Sequence, residues 1–231
     1  MVDQSLAADS VFDPISEFGF EEEQEAKPLY RNGAKRALDV VGALCLFLLF
    51  LPVMLIVAVL IKLDGGPVLF RQQRIGAEGK PFTCLKFRTM VGDAETRLQR
   101  LLASDPAARE EWEKQQKLKK DPRITLVGRF LRRSSLDELP QIFNVLGGSM
   151  SLVGPRPIIA AEIERYADWF DHYKRTRPGL TGLWQVLRRD DTDYDRRVEL
   201  DNLYVAHWSL RGDVVIALRT AWVMLIARGA Y

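Results

Sequence analysis

Two histidines and two cysteines in 231 residues leave little material for a soft-metal centre. Cys45 and Cys84 stand far apart without metal-ligand spacing, and Cys45 sits in an apolar run, so both read as reduced structural thiols. With only His172 and His207, a histidine-rich metal site is excluded. The chain also lacks a GxxxxGK[ST] loop and a GxGxxG fingerprint, which weighs against nucleotide triphosphatases and dinucleotide enzymes. It shows no internal repeat.

Basic residues are nearly missing from the first thirty positions, where Lys27 alone faces eight acidic groups. That stretch carries −7 and the remainder +9, so an acidic tail precedes a basic body. A basic body suggests an anionic partner: nucleic acid, anionic lipid or a phosphorylated substrate.

Charge is absent again from Val40 to Ile61, 22 residues that form a helix of about 33 Å, enough to cross the hydrocarbon core. The run begins late and has no small-residue cleavage site, unlike a secretory signal. Pro52 lies near its middle and removes a backbone hydrogen bond. The flanks are balanced, with Lys27, Arg31, Lys35 and Arg36 before it and Lys62, Arg71, Arg74 and Lys80 after it, so the positive-inside rule gives no direction. A Pro-kinked spanning helix and a re-entrant hairpin both stay open on these grounds.

The expected fold is mainly α with a small β-hairpin. Residues 1–30 read as a flexible acidic tail, 31–66 as the membrane segment and 67–231 as the folded body. PVLFRQQ and PFTCLKFRTM flank the turn-rich IGAEGK, which predicts a hairpin over 67–90. Residues 93–120 are charged and helix-forming. A basic helix, RFLRR, is followed by a break at Ser134-Ser135 and a second helix, DELPQIFNVL, that ends at Gly147-Gly148. GPRP (154–157) is a rigid turn, and 160–175 predict one amphipathic helix. RPGLTGLWQV (177–186) is a glycine-bearing loop. Val214 to Ala227 is apolar except for Arg219, which suits a helix in the lipid interface with Trp208 and Trp222 near headgroup level, or else burial in a core.

Ser135-Leu136-Asp137-Glu138 has the S-x-x-E form of a capping box, with Glu138 reaching back to the Ser135 N–H. Asp137 would then occupy the first helical turn, where the dipole keeps a carboxylate ionised and the same helix end can hold phosphate. An ionised aspartate beside a phosphate can attack phosphorus. Arg129, Arg132 and Arg133 precede the pair and Arg156 follows it. Lys86 and Arg88 alternate with Phe87 toward one strand face, and Arg177 opens the glycine loop. Arginine forks suit phosphate oxygens, although surface bases holding anionic lipid read the same way. Asp201 and Asp213 can hold Mg²⁺, cap a helix or pair with arginine.

DPRITLVGRFLRRSSLDELPQIFNVLGGSMSLVGPRP (121–157) closely resembles the core signature of the bacterial monotopic phosphoglycosyl transferases. KFRTM (86–90), RPGLTGLWQV and ELDNLYV (199–205) match further motifs in the same order, so the resemblance covers roughly residues 31–231. It implies a monotopic enzyme at the cytoplasmic face of the bacterial inner membrane, with interfacial helices and a Pro-kinked re-entrant helix whose mid-helix proline is Pro52. Such enzymes move a hexose 1-phosphate from a UDP-sugar to undecaprenyl phosphate and release UMP, using Mg²⁺. By analogy Asp137 is the nucleophile and Glu138 binds Mg²⁺ or handles a proton, and Asp137, Glu138, Asp201 and Asp213 are the candidate metal carboxylates. Lys86, Arg88, Arg133, Arg156 and Arg177 are the candidate phosphate holders. Membrane lipids are expected partners, a homo-oligomer is an open possibility, and nucleic acid is not expected. Arg188 replaces a glycine usual in the family, and the ending RGAY leans toward glucose or galactose phosphate. A non-catalytic membrane scaffold for polysaccharide assembly is the alternative from another class.

Overall fold

A computed structural model describes residues 17–20, 29–115, 118–187 and 194–226. Most of the acidic tail, Arg188 and the RGAY ending lie outside the described residues. The architecture is mostly helical, as expected, and is organised around one long helix, α1 (Gly33–Lys62). Asn32 opens α1 by accepting the Lys35 N–H on its side-chain oxygen at 3.1 Å. The helix thus begins seven residues before the apolar run, and it continues through Pro52 as one segment.

The buried positions of α1 lie on one stripe: Lys35, Asp39, Ala43, Met54, Val57 and Ile61. Its early half packs with Cys84, Ile142, Val145 and Met150, and its later half with Phe87 and Leu131. Both ends therefore rest on the same body. The opposite face, including Val41, Leu48, Leu55, Ile56 and Val59, is exposed and apolar. Among the described residues α1 is the one helix long and apolar enough to cross a membrane.

The predicted hairpin is present. Strands β1 (Leu69–Ile75) and β2 (Pro81–Phe87) pair antiparallel, with Phe70 opposite Lys86, Gln72 opposite Cys84 and Arg74 opposite Phe82. Helices α2 (Ala94–Ser104) and α3 (Pro106–Gln115) follow, then α4 (Leu126–Arg133), which Thr125 caps. The expected single helix DELPQIFNVL is instead a 3₁₀ turn, Leu136–Glu138, and a short helix α5 (Gln141–Leu146) that starts after Pro140. Proline has no N–H to continue a helical ladder, so the α-helix restarts behind it. Asn144 on α5 receives the Leu85 N–H and donates to the Thr83 carbonyl, which fastens α5 to β2.

Strand β3 (Ser151–Val153) pairs parallel with β4 (Gly179–Thr181), so the glycine-bearing stretch holds a strand rather than a simple loop. A Cβ on Gly179 would lie 2.2 Å from the Gly154 nitrogen, so only glycine admits this approach. The expected amphipathic helix over 160–175 is broken into α6 (Ile163–Tyr166) and α7 (Phe170–Lys174), with Ala167 at φ +43° between them. Helices α8 (Leu183–Leu187), α9 (Tyr194–Ala206) and α10 (Leu210–Ile226) complete the chain. On α10, Asp213 and Ile216 face inward while Val214, Leu218 and Trp222 are exposed. Trp208 is buried and donates to Asp213 at 3.0 Å, which takes it away from any headgroup position.

The tail is not purely solvated. Phe18 and Phe20 are buried in a cluster with Tyr204, Trp208 and Ile216, and Glu17 pairs with Arg219. Gly19 between them has φ +63°, and a Cβ there would lie 2.8 Å from Arg211. Gly19→Ala is expected to weaken this docking by about 1–2 kcal/mol, the cost of a side chain in the left-handed region. Chymotryptic cleavage at Phe18 and Phe20 reads it directly; unchanged cleavage would show the segment is not held there.

Candidate active site

The 3₁₀ turn places Glu138 in the lining of a cleft formed by the face of the hairpin, the start of α5 and the loop after β3, with Asp137 beside it in the chain. Arg74, Cys84, Lys86, Glu138, Gln141, Arg156, Pro157 and Gln185 are among its lining residues. The capping box does not form. Ser135 sits in the left-handed region at φ +55° and makes no side-chain cap. Glu138 turns to Lys86 instead, whose Nζ donates to Oε1 at 2.6 Å. That contact ties the acidic turn to β2.

Asp137 differs from its expectation in the same way. Its neighbours are not the free N–H groups of an α-helix. Burial, and then the adjacent Glu138 charge, push its carboxyl up to about 6, while Lys86 and Arg132 pull it back. At neutral pH most of the carboxylate is still ionised, and it is poorly solvated. A desolvated carboxylate beside two cations is a competent nucleophile once an electrophilic phosphorus arrives.

The basic candidates divide. Lys86 and Arg156 line the cleft. Among the described residues Arg156 has no carboxylate within ion-pair distance, so its fork is available to an anion. Arg88 does not share the cleft: it pairs with Asp64 and donates to the Ile61 carbonyl, closing the C-terminal end of α1. The strand ends at Phe87, so the expected alternation stops before Arg88. Arg177 donates from Nε to the Gly148 carbonyl at 2.6 Å and holds the exit of α5. Arg133 is exposed, and its neighbour Arg132 supplies the cation near Asp137 while donating to Thr89 Oγ1 at 2.9 Å.

Two of the four expected metal carboxylates are elsewhere. Asp213 is buried against Lys35 at 2.7 Å, with Tyr204 and Trp208 also donating to it. Asp201 is buried behind the GPRP loop. It accepts from the Tyr166 hydroxyl at 2.7 Å, and burial raises it to about 6 against the opposing effects of Arg197, Tyr166 and the Arg156 backbone. Asp201 thus supports the loop that carries Arg156. Among the described residues no group of three or more His, Cys, Asp or Glu is placed to hold a metal. The pair Asp137-Glu138 alone still fits Mg²⁺, which commonly takes one or two carboxylates and fills its shell with water and substrate phosphate oxygens.

Sequence reasoning missed Arg74, Gln72, Gln141 and Gln185. The hairpin register was the available signal: Phe70, Gln72 and Arg74 share a face with their partners Lys86, Cys84 and Phe82. Once Lys86 points to the cleft, Arg74 does too.

A family model described as bacterial sugar transferase matches residues 30–227. The undecaprenyl-phosphate galactose phosphotransferase of Salmonella typhimurium is 53% identical over 197 residues, 85% of this chain and 41% of that protein. The UDP-glucose:undecaprenyl-phosphate glucose-1-phosphate transferase of Escherichia coli is 40% identical, over 85% of this chain and 41% of its own length. The exopolysaccharide production protein ExoY of Sinorhizobium fredii is 46% identical over 86% of this chain and 88% of that protein. The chain spans about two fifths of the first two of these relatives and most of the third.

Proposed function

We propose, since the chain belongs to the bacterial sugar transferase family, that it transfers a hexose 1-phosphate, glucose or galactose, from a UDP-sugar to undecaprenyl phosphate and releases UMP. The observation that carries this reading is the Asp137-Glu138 turn, tied to Lys86 and opening on a cleft that holds Arg156. An Asp137 oxygen attacks the sugar-bearing phosphorus. Its bond to the bridging oxygen breaks, and UMP leaves with the electron pair. An oxygen of the lipid phosphate then attacks the same phosphorus and frees Asp137. Lys86 and Arg156 offset the charge of the incoming phosphates. Mg²⁺ held by Asp137 and Glu138 would supply further charge neutralisation when bound.

The same-side packing of both ends of α1 supports a membrane segment that enters and leaves on one face, with its exposed apolar side in lipid. The exposed Val214, Leu218 and Trp222 of α10 suit the interface of that leaflet. In this reading the protein sits at the cytoplasmic face of the bacterial inner membrane and begins exopolysaccharide assembly. Purified full-length protein in detergent, given UDP-glucose or UDP-galactose with Mg²⁺, is expected to release at most about one UMP per enzyme without undecaprenyl phosphate and to turn over continuously once it is added. No release with any UDP-hexose would sink the reading.

A further inference from the structure

Arg74 holds unspent hydrogen-bonding capacity inside the cleft. A guanidinium has five N–H donors. Three contacts engage them: Nη1 to the Pro157 carbonyl at 2.9 Å, and Nε and Nη2 to Gln72 Oε1 at 3.2 and 2.7 Å. Two N–H groups remain, one on each terminal nitrogen. The closest carboxylate, Glu162, is 3.7 Å away, beyond hydrogen-bond reach. The group is nevertheless well shielded, with the side chain 13% exposed. It also faces a like charge: burial and then Arg156 lower its pKa, and Glu162 offsets only part of that. Two forks turned into one cleft, partly desolvated and mutually repelling, are relieved by an anion between them.

The hairpin register gives this pair a direction. Lys86 and Phe70 lie at the Asp137 end, whereas Arg74 and Phe82 lie four residues further along, about 13 Å between backbone positions. Glu138, Lys86 and Arg132 are the charges with the largest effect on Asp137. Cys84, on the floor between, feels all four of Lys86, Arg74, Glu138 and Arg156. A pyrophosphate with its sugar-bearing phosphorus at Asp137 therefore extends its other phosphate toward the two arginines.

We propose that Arg74 is a further catalytic residue, gripping the nucleoside-side phosphate of the donor together with Arg156 and stabilising it as the leaving group. This rests on the transferase reading above. When the Asp137 oxygen bonds to phosphorus and the bridging P–O bond breaks, the departing phosphate gains negative charge, and the two unspent Arg74 donors lie where that charge develops. Arg74 moves no proton. Its contact with Pro157 also sets the position of the GPRP loop, so the pull on the phosphate and the placing of Arg156 are coupled.

The test compares UMP with uridine as competing ligands of the full-length protein in detergent, for wild type, Arg74→Gln and Arg74→Lys. A charge-assisted contact gives about 10–100-fold in affinity. Arg74→Gln is expected to weaken UMP by that factor while uridine changes less than about 2-fold. Arg74→Lys keeps the charge and one donor for Pro157, so it retains uridine affinity and weakens UMP about 3–10-fold. Equal losses for UMP and uridine in both variants would reduce Arg74 to a support of the loop and overturn the proposal. So would unchanged UMP affinity, or a wild type that binds UMP no better than uridine. Absence of UMP release from UDP-sugars would instead strike the transferase reading, and the two ligands would still decide the phosphate site.

Discussion

Asp137→Asn is expected to lower sugar-phosphate transfer by at least about 10³-fold, because the amide cannot form the acyl-phosphate bond and the remaining groups only bind and orient. The fold should not suffer. Burial and the adjacent Glu138 charge raise the Asp137 carboxyl to about 6 in the folded protein, from an ordinary value of about 4. A raised carboxyl favours the folded state at low pH, and that contribution is lost as pH rises through 6, where holding the charge costs stability. The neutral amide carries no such cost. At pH 8 the variant is therefore expected to melt at the same temperature as the wild type or higher, while activity vanishes. Wild-type activity should also fall below about pH 6, as the nucleophile protonates. Glu138→Gln removes the second cause of the raised value, so the acid limb should move to lower pH in whatever activity survives. A scaffold without catalysis predicts that Asp137→Asn still supports polysaccharide assembly in cells. Complementation by this variant at wild-type level would overturn the nucleophile assignment.

The parts of this site that could be read from sequence are contiguous ones. An apolar run, a hairpin bounded by turn residues and an acidic pair behind arginines each signal within a few positions. The parts that could not be read depend on what distant segments bring. Lys86 meets Glu138 across 52 positions, and that contact, not the local S-x-x-E pattern, decides where Glu138 points. Ser135 takes a left-handed conformation that its type does not announce, and the capping box is lost with it. Arg88 and Arg132 exchange their expected importance because the strand ends one residue early for one and the helix phase favours the other. Arg74 looked like a flank charge until the register paired its strand with β2. The acidic tail looked flexible by composition, yet two phenylalanines in it pack against α9 and α10. Composition averages over a segment, whereas burial is decided residue by residue.

Lys35→Met is expected to cost about 3–5 kcal/mol of stability, the range for leaving one member of a buried ion pair without its partner. Lys35 on the first turn of α1 reaches Asp213 on α10 across 178 positions, and both side chains are almost wholly buried. All three ammonium donors are engaged, by the Val153 carbonyl, the Tyr204 hydroxyl and Asp213. Asp213 accepts in addition from Tyr204 at 2.7 Å and Trp208 at 3.0 Å. The network is satisfied, so its removal as a unit should be far milder than its halving. Lys35→Met/Asp213→Asn keeps one acceptor oxygen for Trp208, lets the amide NH2 donate to the Tyr204 hydroxyl while that hydroxyl donates to the Val153 carbonyl, and removes the stranded charge, so it should recover more than half of the loss. Thermal melts of full-length protein in detergent give both numbers. The same measurement separates a structural Asp213 from a metal ligand: Asp213→Asn should lower the melting temperature equally with Mg²⁺ and with chelator. If the double variant is as unstable as Lys35→Met, the pair is not a buried charge couple. If the Asp213→Asn deficit appears only when Mg²⁺ is present, the carboxylate belongs to a metal. If neither occurs, the ion pair is what fastens the start of α1 to α10, and the cleft beside Asp137 inherits its place from that anchor.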